Sequence, residues 1–140
     1  METTLAILKP DTVAARHAGK VLAHLEGEGF AIRGLKVLHL TRAQAQAFYA
    51  VHRERPFYAA LVEFMTEGPV MPVALERADA VAHLRRVMGA TDVAKAEAGT
   101  IRRLYGTSIE RNAIHGSDSP QNAAQELAFF FSTAELLAGR

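Results

Sequence analysis

Two hydrophobic periods alternate along this chain, and the points where one gives way to the other mark its elements. Thr3 to Leu8 is a mostly apolar run ended by Lys9-Pro10-Asp11, with the length and β-branched content of a buried strand. Gly19 to Glu28 places Val21, Leu22 and Leu25 at helical spacing and closes on Gly27 and Gly29. Phe30 to Leu40 returns to alternation through Phe30, Ile32, Val37 and Leu38, which predicts a second strand with a bend or bulge near Gly34. Thr41 with Gln44 three places later forms a capping box, so a helix starts there and buries Ala45, Phe48 and Val51 on one side. A short helix after Pro56 holds Phe57, Leu61, Phe64 and Met65 on one face until Gly68-Pro69 stops it. Val70 to Leu75 reads as a third strand and Ala78 to Met88 as a helix.

From Gly89 to Arg111 no period persists, and Gly89, Gly99 and Gly106 punctuate the segment. More than about 15 weakly patterned residues inside a domain point to a functional or interaction loop. Asn112 to His115 gives a brief fourth strand, and Ser119-Pro120 supplies an N-cap and a first-turn proline for a helix running to about Phe131. The order β-α-β-α-α-β-α-loop-β-α predicts an α+β fold. Its core is a ferredoxin-like, four-stranded antiparallel sheet (βαββαβ) with additional helices and a long irregular loop. The 140 residues suit one domain, taken as 1–140.

Composition changes the picture mainly by exclusion. Apolar residues make up 49% and charged residues 22%, which excludes disorder as a global description. There is no cysteine, so disulfides, thiol chemistry and zinc ribbons are excluded, and a reducing, cytoplasmic location is expected. Sixteen Lys and Arg against fifteen Asp and Glu leave a net charge of +1, dispersed along the chain, which argues against a nucleic-acid partner. The start Met1-Glu2-Thr3-Thr4-Leu5 lacks a basic n-region and reads as a mature start. No apolar stretch approaches the roughly 20 residues a membrane span needs.

Neither the phosphate-loop motif nor the Gly-x-Gly-x-x-Gly fingerprint occurs, and the six histidines are scattered without metal-ligand spacing, so no dedicated metal cage is expected. His115 stands out because it lies in a polar, small-residue context, Arg111 to Ser119, between an apolar stretch and a capped helix. Such a side chain can be rigid and still reachable; by spacing alone a turn residue is the commoner reading. Glu126 shares a helix side with Ala123 and Phe130. It is either solvated on a rotated helix or a carboxylate that fixes the tautomer of a histidine and frees its other nitrogen. Lys9, at a strand end, is either a solubilising charge or a fixed cation for a phosphate. Arg85, Thr91 and Arg102 flank the irregular segment, as an ordinary solvated surface or as a clamp for an oligophosphate. Phe57 is either core or an exposed plate for a base.

Asn112-Ala113-Ile114-His115-Gly116-Ser117-Asp118-Ser119 resembles the active-site signature of the nucleoside diphosphate kinase family. Supporting stretches are Leu8-Lys9-Pro10-Asp11, Arg55-Pro56-Phe57-Tyr58, Gly68-Pro69-Val70, Gly89-Ala90-Thr91 and Ala98-Gly99-Thr100-Ile101-Arg102. The resemblance covers nearly the whole chain. It implies that His115 takes the γ-phosphate of a nucleoside triphosphate and passes it to a nucleoside diphosphate in a ping-pong scheme. It further implies that Glu126 orients the imidazole, that Tyr49 and Lys9 sit beside it, and that Lys9 also touches phosphates and the sugar hydroxyl. Asn112 is implied to bind the 3′-hydroxyl, Arg85, Thr91 and Arg102 the phosphates, and Phe57 and Ile109 to sandwich the base without reading its edges. Mg²⁺ is implied, held by phosphates and water.

Two stretches depart from the family pattern. Asp92-Val93 stands where the family commonly has Asn-Pro, and Arg103-Leu104-Tyr105-Gly106 replaces a stretch beginning with a small residue. Both lie where relatives make contacts beyond a dimer, and the chain ends at Arg140 soon after its last helix. A homo-oligomer built on a dimer unit, as a tetramer or a dimer, is therefore expected in preference to a hexamer. A scaffolding module on the same fold is the competing reading, opposed by the intact His115, Lys9, Asn112 and Glu126.

Overall fold

The apolar run after Met1 becomes β1 (Glu2–Leu8), and both of its faces are apolar because the strand is central. Ala6 and Leu8 enter one buried cluster, Leu5 and Ile7 another, so the sheet has a core on each side. In a computed structural model, which describes Met1–Arg140, the sheet order is β2-β3-β1-β4. The other strands are β2 (Ala31–Leu35), β3 (Met71–Arg77) and β4 (Ile114–Gly116). Every pairing is antiparallel. This is the predicted α+β sheet, with β1 and β2 separated by an inserted β3.

The helices are α1 (Pro10–Ala14), α2 (Ala18–Gly27), α3 (Arg42–Phe48), α4 (Tyr58–Met65), α5 (Ala80–Met88), α6 (Ile101–Tyr105), α7 (Pro120–Phe130) and α8 (Thr133–Leu137). Val21 and Leu25 of α2 and Leu84 and Met88 of α5 pack with Leu8 on the first face. Ala45 of α3, Val62 and Met65 of α4, and Leu127 and Phe130 of α7 pack with Ile7 on the second. Burying each such side chain contributes about 1.5–3 kcal/mol.

The capping box forms as predicted: Thr41 Oγ1 accepts from the Gln44 amide at 3.1 Å and Gln44 Oε1 from the Thr41 amide at 2.9 Å. The helix it opens is shorter than its periodicity suggests. It ends at Phe48 and the chain tightens into a 3₁₀ turn at Ala50–His52, so Val51, expected inside, is 83% exposed. The bend near Gly34 is present as a register shift between Ile32 and Gly34. A Cβ at Gly34 would lie 2.8 Å from the Phe131 ring, which explains the missing side chain. Beyond Leu35 the expected strand continues only as an isolated bridge between Leu38 and Val70.

The unpatterned segment 89–111 holds a 3₁₀ turn at Val93–Lys95 and the five-residue α6. Elements this short span too few turns to show a period. β4 begins two residues later than the Asn112 predicted, because Ala113 has φ +75° and breaks the extended run.

Candidate active site

β4 sets the direction of His115. The residue stands opposite Ile7 in the β1–β4 register, so its side chain rises on the same face of the sheet as Ile7. Helix α7, opened by Ser119 accepting from the Asn122 amide at 3.0 Å, lies over that face and presents Glu126. His115 Nε2 donates to Glu126 Oε1 at 2.7 Å, and Ser117 Oγ donates to the same oxygen at 2.8 Å. A carboxylate only accepts, so Nε2 carries the proton and the neutral ring keeps its lone pair on Nδ1. Phe48 meets the imidazole edge-on at 5.5 Å between centroids and Tyr49 at 6.1 Å, which restricts its rotation. The Tyr49 hydroxyl is buried without a partner; burial first, and then the charge of Glu126, push its pKa up.

A cationic wall faces this imidazole. The Lys9 ammonium donates to Asn112 Oδ1 at 2.8 Å, and Asn112 Nδ2 donates to the Thr91 carbonyl at 3.1 Å. Burial, reinforced by the neighbouring Arg102 charge and only partly offset by Asp11, brings the Lys9 pKa down to about 8. Arg102 is buried as well, donating from Nη1 to the Gly89 carbonyl at 3.1 Å and from Nη2 to the Ile114 carbonyl at 2.8 Å. Desolvation and then the nearby Arg85 lower its pKa to about 10. Like charges held together out of water form a site whose energy falls when an anion arrives.

These groups line one cleft of about 880 Å³, a volume suited to a nucleotide-sized ligand. Every residue singled out in the sequence lines it: Lys9, Tyr49, Phe57, Arg85, Thr91, Arg102, Ile109, Asn112, His115 and Glu126. Phe57 is 47% and Ile109 59% exposed, so Phe57 is not core. Glu126 is the paired carboxylate and not the solvated one.

Other residues of the site escaped sequence reasoning. Ser117, fully buried and outside the cleft lining, donates to the same Glu126 oxygen as His115; its place beside Gly116 in the signature was the available signal. His52 stacks on Tyr49 at 6.3 Å and meets Phe57 at 5.3 Å, and a lone histidine gave no signal. Phe48 read simply as core. No three His, Cys, Asp or Glu side chains stand close enough to hold a metal ion.

The family model described as "Nucleoside diphosphate kinase" matches residues 2–136. The chain belongs to the nucleoside diphosphate kinase family. It is 54% identical over 136 residues to the nucleoside diphosphate kinase of Sorangium cellulosum, covering 97% of this chain and 94% of that one. It is likewise 54% identical over 137 residues to that of Geotalea uraniireducens, covering 98% and 100%. Among solved structures, the Aquifex aeolicus nucleoside diphosphate kinase superposes with a TM-score of 0.93 at 45% identity, over 96% of this chain and 97% of that one. A halophilic nucleoside diphosphate kinase from Halobacterium salinarum, solved in complex with CDP, gives 0.91 at 39% identity, over 96% and 90%. As a member of this family the chain is a phosphotransferase. It moves the γ-phosphate of a nucleoside triphosphate to a nucleoside diphosphate through a phosphohistidine.

Proposed function

We propose that the phosphohistidine of this nucleoside diphosphate kinase forms on Nδ1 of His115. The supporting observation is the 2.7 Å bond from Nε2 to Glu126, which leaves Nδ1 as the free lone pair in a cleft bearing Lys9, Arg85 and Arg102. In the first transfer the Nδ1 lone pair forms a bond to the γ-phosphorus as the bond to the bridging oxygen breaks, and the nucleoside diphosphate leaves with that electron pair. In the second, a terminal oxygen of the acceptor diphosphate attacks the same phosphorus and the N–P bond breaks, returning the imidazole. Glu126 stabilises the positive charge that the ring gains while phosphorylated.

Phosphoryl transfer asks the protein mainly for alignment and for positive charge around the spreading oxyanions. Lys9, Arg85 and Arg102 supply the charge, with the Thr91 hydroxyl as a further donor. Lys9 and Asn112, already bonded to each other, take the sugar hydroxyl. Phe57 and Ile109 grip the base by its faces, which makes the enzyme broad in base choice. The Tyr49 hydroxyl, free of any partner, donates to the phosphoryl group on His115. CDP in the Halobacterium relative is a ligand of the acceptor class proposed here.

The donor set fits a Mg²⁺ ion that arrives on its nucleotide. One oxygen of Glu126 is taken up by His115 and Ser117, and no cluster of acidic or histidine side chains in the cleft could cage an ion, so phosphate oxygens and water would be the ligands. Bound this way the ion offsets phosphate charge, while the chain supplies Lys9 and the two arginines. Residues 1–140 are read as one such domain, acting in the cytoplasm, where a cysteine-free chain is at home. A dimer unit is proposed as well. The outer edge of β2 is unpaired, and Leu35 and Val37 are exposed there; light scattering at several salt concentrations tests it.

Mass spectrometry after exposure to ATP and Mg²⁺ tests the chemistry. One acid-labile phosphate on His115, absent in His115→Ala, is expected. Acid-labile phosphate persisting in that variant removes the assignment.

A further inference from the structure

Ala113 is a fully buried non-glycine residue in the left-handed region, with φ +75°, two positions before His115. Its conformation has a geometric consequence. In a regular strand, residues three apart face opposite sides, so Asn112 would share a side with Ile114 and turn away from His115. Ile114 does enter the core cluster on the far face of the sheet. Asn112 and His115 nevertheless line the same cleft, because the left-handed residue between them swings the chain.

L-residues avoid this region unless their surroundings impose it. The surroundings here come from one distant segment, Lys9 to Thr12. The Ala113 amide donates to Asp11 Oδ2 at 3.1 Å. The Ala113 carbonyl accepts from the Thr12 hydroxyl at 2.9 Å and from the Lys9 amide at 2.9 Å. Both polar groups of the residue are thus fastened, from the segment that also supplies the Lys9 ammonium to Asn112. We propose that Asp11 and Thr12 are positioning residues: they clamp Ala113 in its left-handed turn and thereby aim Asn112 and His115 into one site. This deepens the reading of His115 as the nucleophile and rests on it.

The clamp acts through alignment, and small misplacements of a reacting group cost on the order of 10- to 100-fold in rate. Asp11→Ala is expected to lower the rate of His115 phosphorylation by about that factor, with the loss falling on kcat more than on KM. Two companions separate the clamp from other roles. Asp11→Asn discards the charge near Lys9 but keeps an oxygen acceptor for the Ala113 amide, and it recovers most of the rate. Ala113→Gly in the Asp11→Ala background removes the conformational penalty, so the turn holds without the clamp and the rate returns. A role of Asp11 in the electrostatics of Lys9 predicts neither recovery, and a role in general stability predicts a urea midpoint that falls in Asp11→Ala in step with the rate. Amide hydrogen exchange gives a readout independent of turnover: exchange at Ala113 accelerates in Asp11→Ala.

Undiminished kcat in Asp11→Ala, no rescue by either companion, or unchanged exchange at Ala113 each overturns the proposal. Should Asp11→Ala not fold, Thr12→Val keeps the buried shape, loses only the hydroxyl bond, and carries the same comparison with Ala113→Gly. Failure of the nucleophile assignment shows differently: acid-labile phosphate persists in His115→Ala while exchange at Ala113 still responds to Asp11→Ala.

Discussion

The Lys9 ammonium and the Asn112 side-chain carbonyl are bonded at 2.8 Å, joining the end of the first strand to the start of the signature segment inside a buried cationic pocket. That amide oxygen is the ammonium's one hydrogen-bond partner, while burial and Arg102 work to discharge it.

The consequence is a pH dependence with a fixed sign. The Lys9 pKa is about 8 in the folded chain against an ordinary 10.5. Between these values the unfolded chain binds more protons, so this group's destabilising effect is full below about pH 8 and fades as pH rises toward 10.5. Nucleotide binding runs the other way, since polyphosphate needs the charged form. KM for the nucleotide is expected to rise as pH passes about 8, and titration calorimetry near that pH, in buffers of different ionisation enthalpy, should show proton uptake on binding. A flat KM from neutrality to pH 9.5 would refute the role of the ammonium.

Glu126→Gln keeps the size of the side chain and loses its charge. A carboxyamide supports the phosphorylated, cationic ring poorly, so phosphoenzyme formation should slow by about 10- to 100-fold, by analogy with the loss when the partner orienting a metal-bound histidine is altered. Ser117→Ala, which removes one donor to the same oxygen, should cost about 1 kcal/mol or less of that stabilisation. Rapid-quench measurement of phosphohistidine formation orders the two variants, and equal rates in both would speak against Glu126.

Arg102→Lys tests whether the guanidinium holds backbone as well as phosphate. A lysine cannot reach the Gly89 and Ile114 carbonyls together, and one is left buried and unpaired at a cost of about 1–3 kcal/mol. Urea unfolding without nucleotide should show that loss. Unchanged stability would confine the residue to ligand binding.

Gly106 is a site where a single methyl group should be felt. A Cβ there would lie 2.8 Å from the Arg102 carbonyl and 3.1 Å from Asn112 Cα, both backbone atoms of site residues, and 2.7 Å from a methyl of Val93. Gly106→Ala should destabilise the chain by about 1–3 kcal/mol and raise KM, because what must yield is the backbone that carries Arg102 and Asn112 into the cleft. A crystal structure of the variant with Arg102 and Asn112 unmoved would contradict this.

What could be read before any coordinates followed the strength of the local signals. β1, α2, α5 and α7 carry a sustained period or a clear cap, and all four stand close to where the pattern places them. Helix α8 has a capping box, Ser132 with Glu135, that a search for longer periods passes over. Residues 101–105 fold into a helix capped by Thr100, too short for its hydrophobic spacing to register. In the cleft, the signature named His115 and its neighbours, and the resemblance added Tyr49 and Ile109, which composition and spacing do not single out. The partnership of Asp11 and Thr12 with Ala113 was not legible at all. It depends on a positive φ, and nothing in an alanine announces one.

Lys9, just past the first strand, and Glu126, on the penultimate helix, line the same cleft from opposite ends of the chain. The cleft of a nascent chain is therefore incomplete until its penultimate helix has emerged and closed over the sheet. Full turnover in such a molecule reports that the two ends of the chain have come together.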